Sequence, residues 1–227
     1  MALTLPGHPA KADSAARATT NATPVPAWRS PLGAAEERAL DVDLVARDAR
    51  EVARALLGAR LVSTVDGART VGVIVETEAY LGLDDPASHA ATRVGRTERN
   101  AAMFGPPGRA YVYRSYGMHW CMNVVTGAEN VPQAVLLRAL DPLEGEDAMA
   151  ERRGRVDALA SGPGRLCQAL GITGALYGHD LRRPPLQLLA GWRVPPGHVG
   201  LSGRIGLRAA ADWPLRFFVK GNPAVSR

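Results

Sequence analysis

The chain is poor in lysine. Only Lys11 and Lys220 occur among its 227 residues, and every other basic residue is arginine. Amines able to form a Schiff base are therefore scarce, and arginine stays protonated and cannot replace them. Cysteine is as scarce: Cys121 and Cys167 lie far apart, without metal-ligand spacing. That argues against a disulfide framework or a cysteine-rich metal centre, and for a reduced protein with two buried thiols. No run of about 18 apolar residues exists, so no membrane span is expected. A hydrophobic signal-peptide core and an internal repeat are also lacking. Aromatic residues make up 5% of the chain, yet four of its five tyrosines fall in two short stretches, 75–82 and 111–117.

The charge is modestly positive, 27 basic against 22 acidic residues, +5, with a pI near 9.7. That favours a polyanionic partner without demanding one. An arginine-based surplus suits bidentate contacts to phosphates and stacking on flat rings.

Residues 1–35 are rich in Ala, Pro, Ser and Thr, lack periodicity and hold one acid, Asp13. They read as a disordered tail. Their bias loosely resembles a transit peptide, but without a good amphipathic face. Residues 36–227 read as one ordered domain. From Asp41, apolar Val45, Ala49, Val52, Ala53 and Leu56 recur at helical spacing, with Asp41 or Asp43 as N-cap and Gly58 as stop. Strands are expected over 60–63, 69–78, 111–113, 119–125, 134–139 and 215–220. Asp66-Gly67 serves as a hairpin turn, and a short helix spans 166–170. The absence of regular βαβ alternation predicts an α+β fold: one curved, mostly antiparallel, open-barrel-like sheet flanked by helices.

Glu76 and Glu78 are two apart at the end of a core-like strand, so they share a face. They fit a general acid/base pair; they equally fit a solvated face, or an ion pair of Glu76 with an arginine. In the loop that follows, Asp84, Asp85 and His89 fit a weak metal site or an ordinary Asp-Asp-Pro turn. Tyr111 and Tyr113 alternate and share a face, as cross-strand packing also requires. Tyr116 is different, because an aromatic at a hairpin tip beside Gly117 has nothing behind it. Such a residue can wedge between base steps from the DNA minor groove, with Arg114 near phosphates.

Six strings in order, VETEAYLG (75–82), DDPASHA (84–90), Arg99-Asn100 with MFGPPG (103–108), YVYRSYGMHWCMNVV (111–125), AVLLRALDPLEG (134–145) and SGPGRLCQALGI (161–172), resemble the alkyladenine (3-methyladenine) DNA glycosylase family. The resemblance runs from about Leu44 to the end. It implies an enzyme that inserts a β-hairpin into the minor groove, flips a damaged purine out of double-stranded DNA and cuts the N-glycosidic bond. It also implies no cofactor and no metal. Position by position, Glu78 matches the acid that activates water. Arg138 matches a residue orienting water and backbone near it. Tyr80 and Tyr113 match the aromatics that sandwich the base, and His89 the pocket wall. Asn123 faces the purine 2-position, Met118 and Leu136 line the pocket, and Tyr116 fills the vacated stack. The resemblance further implies a backbone N–H near His89 that opposes adenine's 6-amino group, and an Asn123 that crowds guanine's 2-amino group. The reading that follows is an intracellular monomer, in the cytoplasm or nucleoid if bacterial, that excises alkylated or deaminated purines as a monofunctional glycosylase. A non-catalytic binder of damaged or bent DNA is the alternative, and a sugar-directed glycosidase using Glu76 and Glu78 a third.

Overall fold

In the computed structural model, the residues described are Met1, 38–88 and 95–226. The expected tail and His89 lie outside them. The described residues form eight strands: β1 Arg60–Ser63, β2 Thr70–Tyr80, β3 Ala110–Ser115, β4 His119–Thr126, β5 Gln133–Glu144, β6 Leu186–Leu189, β7 Val199–Ser202 and β8 Arg216–Val219. The helices are α1 Val42–Val45, α2 Ala49–Ala55, α3 Glu146–Arg153 and α4 Pro163–Ala169, with short 3-10 turns between elements. All strand pairs are antiparallel, in the order β3-β4-β5-β2-β1-β6, with β7–β8 joined through β8 to β2. The sheet is open, as the α+β reading expects. No helix among the described residues is long and apolar enough to cross a membrane.

β2 organises the sheet. One edge pairs with β5, while the other pairs with β1 over 70–73 and then with β8 over 76–78. The register shifts between Ile74 and Thr77, where the partner changes; such irregularities re-aim side chains and sit beside many active sites. Every β2 residue but Tyr80 is buried. The core is one large apolar cluster of strand residues and the inner faces of α2 and α4, including Leu56, Leu61, Ile74, Leu137 and Leu166.

The single helix expected from Asp41 is two. Asp41 caps α1, accepting from the Asp43 N–H at 3.0 Å, and Asp48 caps α2, accepting from the Arg50 N–H at 2.9 Å. The Ala49 N–H donates to Gln133 Oε1 at 3.0 Å. A tertiary partner and a second cap thus replace the hydrogen bonds a continuous helix would have made. β6, β7 and α3 have no counterpart among the sequence expectations. Each strand has four residues, and α3 buries one apolar side chain, Met149, so neither offers a readable period.

Candidate active site

Three side chains of the β2 end point the same way: Glu76, Glu78 and Tyr80. Arg138 on β5 reaches the first two. Its Nε donates to Glu76 Oε1 at 2.9 Å, and its Nη1 lies 3.2 Å from Glu78 Oε1. Glu76 also accepts from Arg216 Nε at 2.7 Å, from the Ser226 N–H at 2.6 Å and from the Ser226 hydroxyl at 2.9 Å. Both its oxygens are engaged inside the protein, and it does not line the neighbouring cavity. Of the alternatives for Glu76, the ion pair with arginine is the one found, with two arginines rather than one.

Glu78 does line that cavity, although the residue is fully buried. Oε1 accepts from the Ile205 N–H at 2.7 Å, and Oε2 accepts from the Tyr80 hydroxyl at 3.0 Å. Burial pushes its pKa above the ordinary 4.5, against the pull of Arg138, the Ile205 amide and Tyr80. Tyr80 is pushed far up by burial and by the Glu78 charge, so it stays a donor.

The cavity encloses about 420 Å³, within the range of small-molecule sites. Tyr80, Tyr113, Asn123, Leu136, Arg138 and Tyr116 share its wall with Glu78. Tyr113 is packed against Tyr111, ring centroids 5.4 Å apart and planes 25° from parallel. Burial raises the pKa of both, Tyr111 to about 12. Asn123 stands opposite Tyr111 on the β3–β4 ladder and donates from Nδ2 to the Tyr111 carbonyl at 3.1 Å, which fixes the amide plane at the wall.

Tyr116 and Gly117 are the central residues of the β3–β4 turn. Both have positive φ, 50° and 70°, and the Met118 N–H closes the turn on the Ser115 carbonyl at 3.0 Å. These are the signs of a type I′ turn, which Gly117 adopts freely and a tyrosine does not. Tyr116 is nonetheless 88% exposed. A strained aromatic held out in solvent is a motive for function. Met118 is placed differently from the expectation. It leaves the turn 68% exposed and is not in the cavity wall.

Sequence reasoning missed several wall residues: Tyr111, Arg99, Met103, Cys121 and the 205–207 segment. Asp85 fits the turn alternative: its oxygens accept from the Leu81 and Ala87 N–H groups, and also from Arg204, a partner the sequence did not point to. Among the described residues no three His, Cys, Asp or Glu side chains cluster as metal ligands.

Among the described residues Glu78 is the one acid in the cavity wall. One buried carboxylate beside tyrosine faces sets this site apart from one built on two opposed carboxylates. The comparisons with known proteins narrow the class. The model of the family Methylpurine-DNA glycosylase (MPG) matches residues 43–223, and the chain belongs to this family: it is a DNA glycosylase, a hydrolase of DNA repair. It is 52% identical over 186 residues to a protein of Methanoculleus marisnigri named "Putative 3-methyladenine DNA glycosylase", covering 80% of this chain and 95% of that one. Proteins of the same name from Agrobacterium fabrum and Frankia casuarinae are each 50% identical. They cover 80% and 82% of this chain and 89% and 91% of their own.

Proposed function

We propose that the protein is a monofunctional alkylpurine glycosylase, which flips a 3-methyladenine-type or deaminated purine out of duplex DNA and hydrolyses its N-glycosidic bond. The observation that carries this reading is Glu78: one acid, buried, raised in pKa and facing a tyrosine-walled cavity. In this reading Glu78 takes a proton from water as the oxygen attacks C1′ of the sugar. The C1′–N bond breaks and its electron pair leaves with the base. A 3- or 7-alkylated purine is already cationic, so it departs neutral without a strong acid. Tyr80 and Tyr113 hold the ring, and Arg138 orients the carboxylate. Base recognition by aromatic faces and a flipped nucleotide is the general solution for chemistry on a base in duplex DNA.

Tyr116 fills the vacated stack in this account. Its exposure and its place at a turn make it a wedge that offsets an unstacking cost of roughly a few kcal/mol. Tyr116→Ser weakens binding to lesion duplex and slows excision at unchanged Tm. A drop of several degrees in Tm instead makes the tyrosine a packing residue.

The product is an intact abasic site. Lys220, the one lysine among the described residues, is exposed, its ammonium donates to the Gly197 carbonyl, and it is not in the cavity wall. The deciding experiment incubates the protein with duplexes carrying hypoxanthine, ethenoadenine or methylated purines, with and without alkali and borohydride. Base release with strand breaks only after alkali is expected. Binding without base release leaves the non-catalytic binder, and a borohydride-trapped adduct replaces water with an amine.

A further inference from the structure

Asp85 and Arg204 form an ion pair whose side chains are both fully buried. Neither lines the cavity, yet the groups attached to them do. Arg204 Nη2 donates to Asp85 Oδ1 at 2.8 Å, and Nη1 donates to the Ala79 carbonyl at 3.0 Å. The guanidinium carbon lies 4.7 Å from the centroid of the Tyr80 ring. The residue after Arg204 is Ile205, whose N–H holds Glu78. Asp85 meanwhile accepts from the Leu81 N–H at 3.1 Å and the Ala87 N–H at 3.0 Å, and Ala87 is itself in the wall. Three separate pieces of wall, the end of β2, the loop after it and the 204–207 segment, therefore meet at one ion pair.

Stability alone does not explain the pair. A buried ion pair is commonly matched or bettered by apolar side chains of the same volume. Here one donor is even left over: the Arg204 Nε–H is buried with no acceptor among the described residues. The guanidinium lies where the Tyr80 face and Asp85 dictate, at the cost of one hydrogen bond.

We propose that Asp85–Arg204 is a positioning pair, which fixes the Ile205 N–H on Glu78 and backs the Tyr80 ring, and so sets both the protonation of the carboxylate and the alignment of the base slot. This rests on the reading of Glu78 as the water-activating base. The Ile205 amide is one of the groups holding the Glu78 pKa down, so freeing it raises that pKa further.

The test is the double variant Asp85→Leu/Arg204→Met, which removes both charges together and so avoids an orphaned buried ion. It still leaves the Leu81 and Ala87 N–H groups and the Ala79 carbonyl without these partners, so a lowered Tm is expected. Two readouts follow: single-turnover base release on a hypoxanthine duplex, and the titration of the Glu78 carboxyl by carbon NMR. Release slows on the order of 100-fold, as for misplacement of a catalytic group by about 1 Å, and Glu78 titrates at higher pH. A folded double variant with an unmoved Glu78 titration overturns the proposal, whatever its rate. If that variant does not fold, Arg204→Lys decides. It keeps a cation for Asp85 but loses the flat stack and the fork, so an upward-shifted Glu78 titration supports the pair and an unchanged one overturns it. The titration needs no activity. A parent protein that releases no base therefore refutes the function while the pair stands or falls separately.

Discussion

Glu76 and Glu78 stand two residues apart on one strand, face the same way, and are both fully buried. Their surroundings divide them. Glu76 accepts from two arginines and from the amide and hydroxyl of Ser226, so its charge is matched on every side. Glu78 shares Arg138 with it, and adds one amide and one phenol, but its remaining side is a cavity. The first arrangement is structural: an anion built into the junction of β2, β5, β8 and the chain's last residues. The second leaves a buried carboxylate incompletely matched, and that shortfall is what a general base needs to take a proton. Two chemically identical side chains thus differ by neighbourhood alone, and the proposed chemistry falls to the one whose charge is incompletely matched.

The largest effect that tests this division is on rate. Glu78→Gln keeps the shape but cannot accept a proton from water, and base release falls by roughly 10²–10⁴-fold, the worth of general-base catalysis. Loss of less than about tenfold removes Glu78 from the role. Stability moves the other way. Because burial raises the folded pKa above 4.5, the folded protein binds that proton more tightly than the unfolded chain does. The stabilising contribution is complete below 4.5 and is lost as pH rises through the raised value. At neutral pH the wild type carries the penalty and the glutamine variant does not, so its Tm is equal or higher. A clear fall in Tm for Glu78→Gln breaks the comparison.

Glu76→Leu is the mirror image. It leaves Arg216 nearly buried without its anion and Arg138 with Glu78 alone, a loss of about 3–5 kcal/mol. At about 2–4 °C per kcal/mol for a domain of this size, Tm drops by roughly 6–20 °C. Thermal unfolding checks it: an unchanged Tm makes Glu76 something other than the structural anion.

How far this division could be read from the sequence follows from where the partners lie. The strand carrying both acids, the tyrosine hairpin and the two-residue alternation are local signals. They pointed to Glu78 and the tyrosines, while Asn123, Leu136 and Arg138 were matched only through the family resemblance; with Tyr80 and Tyr113 they line one wall. The partners of Glu76 lie 140 and 150 residues away, at Arg216 and Ser226, and no periodicity points to them. Ile205 and Arg204 are as remote, in a segment without a readable period, so the clamp on Glu78 and Tyr80 stayed hidden. Met118 was assigned to the pocket through the family resemblance; here it closes a turn in which two residues have positive φ and stands exposed.

The smallest effect is the sharpest test of what tunes Glu78. Tyr80→Phe keeps the ring in the wall but removes the hydroxyl that donates to Oε2. That donor favours the ionised carboxylate, so without it Glu78 holds its proton to higher pH. In the wild type, base release is lost as pH falls through a midpoint above 4.5, because the protonated acid cannot act as a base. In the phenylalanine variant this acid limb lies higher still. On the plateau above it the rate falls by no more than about tenfold, the equivalent of one net hydrogen bond at about 1.4 kcal/mol. The pH dependence of single-turnover release on a cationic lesion, 7-methylguanine, isolates this limb, because such a leaving group needs no proton of its own. An acid limb that stays in place while the plateau drops assigns Tyr80 to gripping the base alone, and leaves Arg138 and the Ile205 amide as the groups that keep Glu78 ionised.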